Sequence, residues 1–252
     1  MANERLGPDA DGYVHMFILI DTSGSMSGAI EKINMAMSGD IKTKLLEIAD
    51  DKNLKILMHV LRFDEGQPRY VVGTENGGVE LTDGFIWTNL PADGNRTYTG
   101  EAIEQVYKDM KVEFIGLKAL NPIVILITDG YANGQILVKD AAQKLKTKFM
   151  KKDKSGDLVV GQIEKLIRVG IGVKTPNGDY QRNELEDFAT IGTLNEVENQ
   201  PFVFEVEKLD NLGDIFTNIV VASLYASSLA SQEDDPAVTP KMVTTDPDEE
   251  II

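Results

Sequence analysis

Between residues 14 and 20 every residue except His15 is apolar. A run of that length and continuity, without polar alternation, reads as a strand buried on both faces, as in a parallel sheet. It stops at Asp21, and Thr22-Ser23-Gly24-Ser25-Met26-Ser27-Gly28 follows. Beyond that turn Ile30, Ile33, Met37, Ile41, Leu45 and Ile48 recur at intervals of three and four. That spacing is one face of a helix. A chain that begins with a doubly buried strand and follows it with an amphipathic helix is committed to a layered α/β architecture.

The unit recurs along the chain. Residues 54–63 form a second strand. Residues 64–95 are polar and glycine-rich with short apolar stretches, and read as an edge strand near 69–73 plus a long loop. A helix is expected over about 100–110. Residues 121–128 repeat the opening pattern, an apolar strand ending in an acid, Asp129. A helix over 135–150, a strand over 166–173, a short helix over 183–191, a strand over 201–206 and a last helix over 209–229 complete the pass. Such alternation argues an open, mostly parallel sheet of about six strands, with helices on both faces and one antiparallel edge strand. The expected organisation is an N-terminal extension over 1–11, one domain over 12–228 and an acidic flexible tail over 229–252.

The formal charge is −16, from 41 acidic and 25 basic residues. The last 22 residues hold seven acids (Glu233, Asp234, Asp235, Asp246, Asp248, Glu249, Glu250) and one Lys, so the body carries 34 acidic and 24 basic residues, about −10. A field of that sign disfavours nucleic acid and anionic lipid, and favours basic partners and cations. No cysteine is present, which excludes disulfides, thiol catalysis and zinc–thiolate centres. Residues 1–12 contain no apolar run of signal-peptide type, and no apolar stretch is long enough to span a bilayer. The expectation is a cytoplasmic protein.

In open α/β sheets, sites form at the C-terminal ends of strands where neighbouring connections diverge. Two apolar strands here end in Asp21 and Asp129. If these strands are adjacent, both carboxylates reach one crevice, where they repel unless a cation lies between them. Ser23 and Ser25 alternate on the loop after Asp21, so both hydroxyls can turn to one side. Oxygen ligands carrying few charges suit a hard cation such as Mg²⁺, with Mn²⁺ or Ca²⁺ as alternatives.

Asp21-Thr22-Ser23-Gly24-Ser25 after an apolar strand resembles the D-x-S-x-S signature of von Willebrand factor type A (VWA) domains, which defines their metal-ion-dependent adhesion site (MIDAS). The family also supplies a Thr from a loop before a helix, and Asn95-Arg96-Thr97-Tyr98-Thr99-Gly100-Glu101-Ala102-Ile103 fits that loop. Its third element is an Asp after an apolar strand, matched by Ile127-Thr128-Asp129-Gly130. The resemblance implies a Rossmann-like VWA fold and a metal site at Asp21, Ser23, Ser25, Thr97 and Asp129. Ser23, Ser25 and Thr97 would touch the ion, while the two acids act largely through waters. Thr99 is the fallback ligand and is expected to cap the helix. One coordination position stays open for an Asp or Glu of a partner protein. The chain's start and its Ile-Asp-Thr-Ser-Gly-Ser-Met segment are similar to bacterial intracellular tellurium-resistance (TerY-like) and stress-operon VWA proteins.

Other readings carry less. A dehalogenase-type phosphatase needs an acid two residues after the first Asp, and Ser23 stands there. Neither G-x-G-x-x-G nor a P-loop occurs. A metal-assisted hydrolase would need a base such as Asp129 or Glu101, yet no activated nucleophile accompanies them. No catalytic residue and no organic cofactor is expected. His15 and His59 read as structural, Trp87 as loop packing, Tyr98 as packing or partner contact, and the lysines of 144–154 as a solvated helix end.

Overall fold

A computed structural model describes residues 12–111, 120–150, 152–157, 166–174, 180–194, 197–206, 212–230 and 241–242. The first strand, β1 (Gly12–Asp21), is the axis of the molecule. A 3₁₀ turn at Gly24–Met26 leads into α1 (Ser27–Ser38) and α2 (Asp40–Asp51). The chain returns through β2 (Leu54–Phe63), β3 (Arg69–Val72) and the two-residue β4 (Val79–Glu80). Then come α3 (Thr99–Asp109), β5 (Ile123–Thr128), α4 (Val138–Lys146), β6 (Ile167–Val173) and α5 (Arg182–Phe188). The hairpin β7 (Ile191–Leu194) and β8 (Val197–Pro201), β9 (Val203–Val206), α6 (Leu212–Ala230) and β10 (Lys241–Met242) follow.

The main sheet has the order β3-β2-β1-β5-β6-β9, with β4 also pairing β2. β1, β2, β5, β6 and β9 run parallel, and β3 and β4 are antiparallel to β2. The expected sheet, with its antiparallel edge strand, is the observed one. Period-two alternation on β1 splits its side chains between two cores. Val14, Met16, Ile18 and Ile20 face α1, α2 and α6, whereas Phe17 and Leu19 face α3, α4 and α5. Each of these side chains is fully buried, and each such burial stabilises by about 2–3 kcal/mol.

Several boundaries differ from the sequence reading. The Ile30–Ile48 stripe is two helices, because the chain breaks at Gly39 (φ −120°, ψ −94°). The helix expected over 135–150 starts at Val138 and ends at Lys146. Residue 191 opens a strand and does not end a helix, and the 191–201 hairpin forms a separate three-stranded sheet with β10. Helix α6 runs to Ala230, two residues into the expected tail, and Lys241–Met242 pairs with β7. The rest of the tail and residues 1–11 lie outside the described residues. No helix among the described residues is long and apolar enough to cross a membrane.

Candidate metal centre

From β1 the chain turns to β2 on one side and later reaches β5 on the other. The C-terminal ends of β1 and β5 are therefore the place where connections diverge, the position at which open α/β sheets bind ligands. The register sets Ile20 beside Ile127, so Asp21 stands level with Thr128. Asp21 is fully buried. Its Oδ1 accepts the Ser23 N–H at 2.8 Å and its Oδ2 accepts the Thr128 hydroxyl at 2.7 Å. The Ser23 and Ser25 hydroxyls are 3.0 Å apart, and Ser25 Oγ donates to Asp129 Oδ1 at 2.9 Å. The loops after β1 and β5 thus meet through one chain of polar contacts.

Thr97 comes from the third direction. A Cβ added to Gly130 would stand 3.2 Å from Thr97 Oγ1 and 3.7 Å from Asp21 Oδ2. Both oxygens therefore border the space over Gly130, and all five sequence-predicted residues converge on one rim of the sheet. Thr99 does not cap the helix as expected: Tyr98 occupies the N-cap position of α3, and among the described residues no side chain caps that helix and the buried Thr99 hydroxyl has no hydrogen-bond partner.

The loops are held by further contacts of the motif residues and by residues outside the motifs. Thr22 donates its N–H to the Phe63 carbonyl at 2.8 Å, and its hydroxyl reaches the same oxygen at 3.1 Å. Gly24 N–H donates to Gly94 O at 2.6 Å and Gly94 N–H to Thr22 O at 3.1 Å, which ties the first loop to the segment before Thr97. Asn133 pairs with Thr97 as a strand neighbour would: its N–H donates to Thr97 O at 2.7 Å and its Oδ1 accepts Thr97 N–H at 3.4 Å. Glu101 Oε1 accepts the N–H groups of Gln135 and Ile136 at 2.7 and 3.3 Å, and Glu184 accepts that of Ala132 at 3.0 Å. Thr22 and Glu101 lay within the quoted motifs, without these roles. The others act through long-range geometry that no spacing encodes.

The electrostatics fit a cation. Burial pushes the Asp21 carboxyl up to about 6; hydrogen bonds from Thr128 and Ser23 oppose that rise, and the charge of Asp129 adds to it. Among the described residues no cluster of three or more His, Cys, Asp or Glu side chains could hold a metal. A metal here would rest on hydroxyls together with two carboxylates, a hard oxygen set. The donor chemistry therefore fits a divalent ion.

His15 Nδ1 and His59 Nε2 are 2.9 Å apart, both rings are buried, and His59 stacks on Phe17 with centroids 4.1 Å apart. Trp87 is buried, and its indole N–H donates to Asn34 Oδ1 at 3.0 Å. Tyr98 is half-buried, with its N–H on Asp64 O. Lys144 pairs with Glu104 at 3.6 Å, and Lys148 donates to the Tyr107 carbonyl.

A family model described as "von Willebrand factor type A domain" matches residues 15–218. The chain belongs to the VWA domain family. Among solved structures it is similar to proximal thread matrix protein 1 from the mussel byssus with a zinc-occupied MIDAS motif, at 19% identity and TM-score 0.51, covering 84% of this chain and 49% of that one. It is also similar to a von Willebrand factor type A protein from Catenulispora acidiphila, at 16% identity and TM-score 0.54, covering 84% of this chain and 43% of that one. The chain spans about half the length of these structures or less, and at such identities they speak for the fold alone. No curated protein matches at a significant level.

Proposed function

We propose that this VWA domain is a metal-dependent protein-interaction module. Asp21, Ser23, Ser25, Thr97 and Asp129 would hold a divalent cation, most suitably Mg²⁺. An Asp or Glu of a partner protein would complete its coordination. The observation that carries the reading is the convergence of three loops on one rim, around the buried carboxylate of Asp21. The mussel protein with a zinc-occupied MIDAS motif is a fold relative in which such a site holds metal.

The metal would supply a positive centre for an incoming carboxylate, inverting the local sign of an acidic protein. The chain's own residues prepare for it. Ser23 and Ser25 offer neutral oxygens, so the ion keeps its attraction for an acid. Thr128 and the Ser23 N–H fix the Asp21 carboxylate, and Asn133 sets Thr97. Orientation of ligands by such outer partners governs affinity. A hydrolase reading finds less support, since Glu101, one of its two candidate bases, is occupied in holding Gln135 and Ile136. The resemblance in the first strand and loop favours a cytoplasmic adaptor role in a bacterial stress or tellurium-resistance system. The proposed domain bounds are 12–228, between an extension over 1–11 and an acidic tail over 229–252.

Calorimetric titration of Mg²⁺ or Mn²⁺ should show binding to the wild type. Binding should be lost in Asp21→Ala and Ser23→Ala, with far-ultraviolet circular dichroism preserved. Unchanged affinity in both variants would overturn the assignment. Capture of a partner that is abolished by EDTA and by Asp21→Ala, without turnover of a phosphoester, would separate the interaction module from a hydrolase.

A further inference from the structure

The loop after Asp129 carries two large apolar side chains into solvent: Tyr131 is 61% exposed and Leu137 66%. This loop is held at three places, through Glu184 to Ala132, Asn133 to Thr97, and Glu101 to Gln135 and Ile136. A fixed apolar rim on the loop that leaves Asp129 suits a ligand whose acid is followed by bulky apolar residues, because preformed surfaces lose little entropy on binding.

The chain contains such a segment. Asp246-Pro247-Asp248-Glu249-Glu250 is followed directly by Ile251-Ile252. Just before it, Lys241–Met242 pairs with β7, setting Met242 beside Leu194. β7 leaves from Thr190, whose N–H donates to Arg168 O near the start of β6. Arg168 is level with Val124, and Val124 with Phe17, four residues below Asp21. The segment therefore starts near the end of the sheet opposite the metal rim.

Reach decides which site it can fill. Asp246 to Glu250 stand four to eight residues beyond Met242, a span of at most about 14 to 27 Å. The step from Phe17 to Asp21 is about 13 Å, the two strand spacings from β6 to β1 about 10 Å, and the four residues from Thr190 to Leu194 about 13 Å more. A direct line between these points runs through the packed core. A path round a helical layer adds about 10 Å outward and again on return. The acids fall short of the site on their own chain.

We infer that the acidic-apolar segment 246–252 of one copy occupies the metal rim of a second copy, its carboxylate on the ion and Ile251 and Ile252 against Tyr131 and Leu137. The inference rests on the metal-site reading. Such a contact is head-to-tail, so it propagates into a ring or an open chain. It also makes self-association of a protein with charge −16 depend on the cation.

The test uses the full chain in sedimentation velocity up to about 1 mM, where a millimolar contact is visible, with Mg²⁺ and then EDTA, alongside Mg²⁺ calorimetry. Wild type should associate in Mg²⁺ and return to monomer in EDTA. A variant with Asp246→Asn, Asp248→Asn, Glu249→Gln and Glu250→Gln should bind Mg²⁺ as wild type does and stay monomeric. Asp21→Asn should also be monomeric, yet a mixture of the two should form a 1:1 dimer, one copy supplying the tail and the other the site. Mg²⁺ binding without association, or association unaffected by neutralising the tail, would overturn the inference while leaving the metal site intact. Absence of Mg²⁺ binding would overturn the metal-site reading, and this inference with it.

Discussion

Single side chains decide whether the loops of this domain stay in place. Asn34 is buried on α1 and makes three hydrogen bonds: its Oδ1 accepts from Trp87 Nε1 at 3.0 Å and Leu90 N–H at 2.8 Å, and its Nδ2 donates to Leu90 O at 2.9 Å. One amide thus fastens the 82–95 loop to the helix behind it. Asn34→Leu keeps the volume but leaves the indole N–H and the Leu90 amide buried without acceptors. A loss of about 2–4 kcal/mol in denaturant unfolding is expected. A loss below 0.5 kcal/mol would show that the loop reorganises at no cost. Asn133 does comparable work beside the metal rim. Asn133→Ala removes the acceptor for the Thr97 N–H and should weaken Mg²⁺ binding about tenfold, the effect typical of groups that orient metal ligands. Trp87 and Asn34 stand 53 positions apart, so nothing in the local sequence announced their partnership.

At the level of elements, the start of α3 and the loop after β5 act as one unit. Gly100 sits so close to the backbone of Ile136 that an added Cβ would collide with its carbonyl, and Gly134 lies against the Glu101 carboxylate. Backbone cannot yield as a side-chain tip can, so Gly100→Ala must push the 130–137 loop outward and carry Asp129 with it. A fall in Mg²⁺ affinity of at least about tenfold is expected. Equal affinities for Gly100→Ala and wild type would show that the two elements are independent. The sequence pointed to Thr97 in the run from Asn95 to Ile103 and gave Thr99 as the fallback ligand and expected cap. The hydrophobic pattern places helices well because one face must be buried. It does not say which neighbouring loop presses on their first turn.

Across the whole molecule, the histidine pair couples stability to pH. Burial, with the nearby His59 charge adding to it, lowers His15 from the ordinary 6.5 to about 3. Burial lowers His59 to about 4, opposed by hydrogen bonding near Thr74. Between about pH 6.5 and these values the unfolded chain binds more protons than the folded one, so stability rises with pH through that window. The contribution is complete above about 6.5 and is lost as the pH falls toward 4. Urea unfolding between pH 4 and 7 should show this slope, and replacing both rings by Gln should flatten it. A slope unchanged in the double variant would place the acid sensitivity elsewhere. The two rings lie on adjacent parallel strands, so their meeting is a property of strand order.

The amino-acid sequence alone determined the layers, the parallel sheet with its antiparallel edge, and the three polar loops. These follow from local rules: apolar continuity marks strands buried on both faces, three-and-four spacing marks helices, and short polar runs mark the turns between them. Tertiary structure decided the rest. It split the first helix at Gly39, formed the separate sheet of β7, β8 and β10, and set β1 between β2 and β5 so that Asp21, Thr97 and Asp129 share one rim. Those outcomes depend on strand order and on contacts between residues dozens of positions apart, whose free energy exists only once the core has closed.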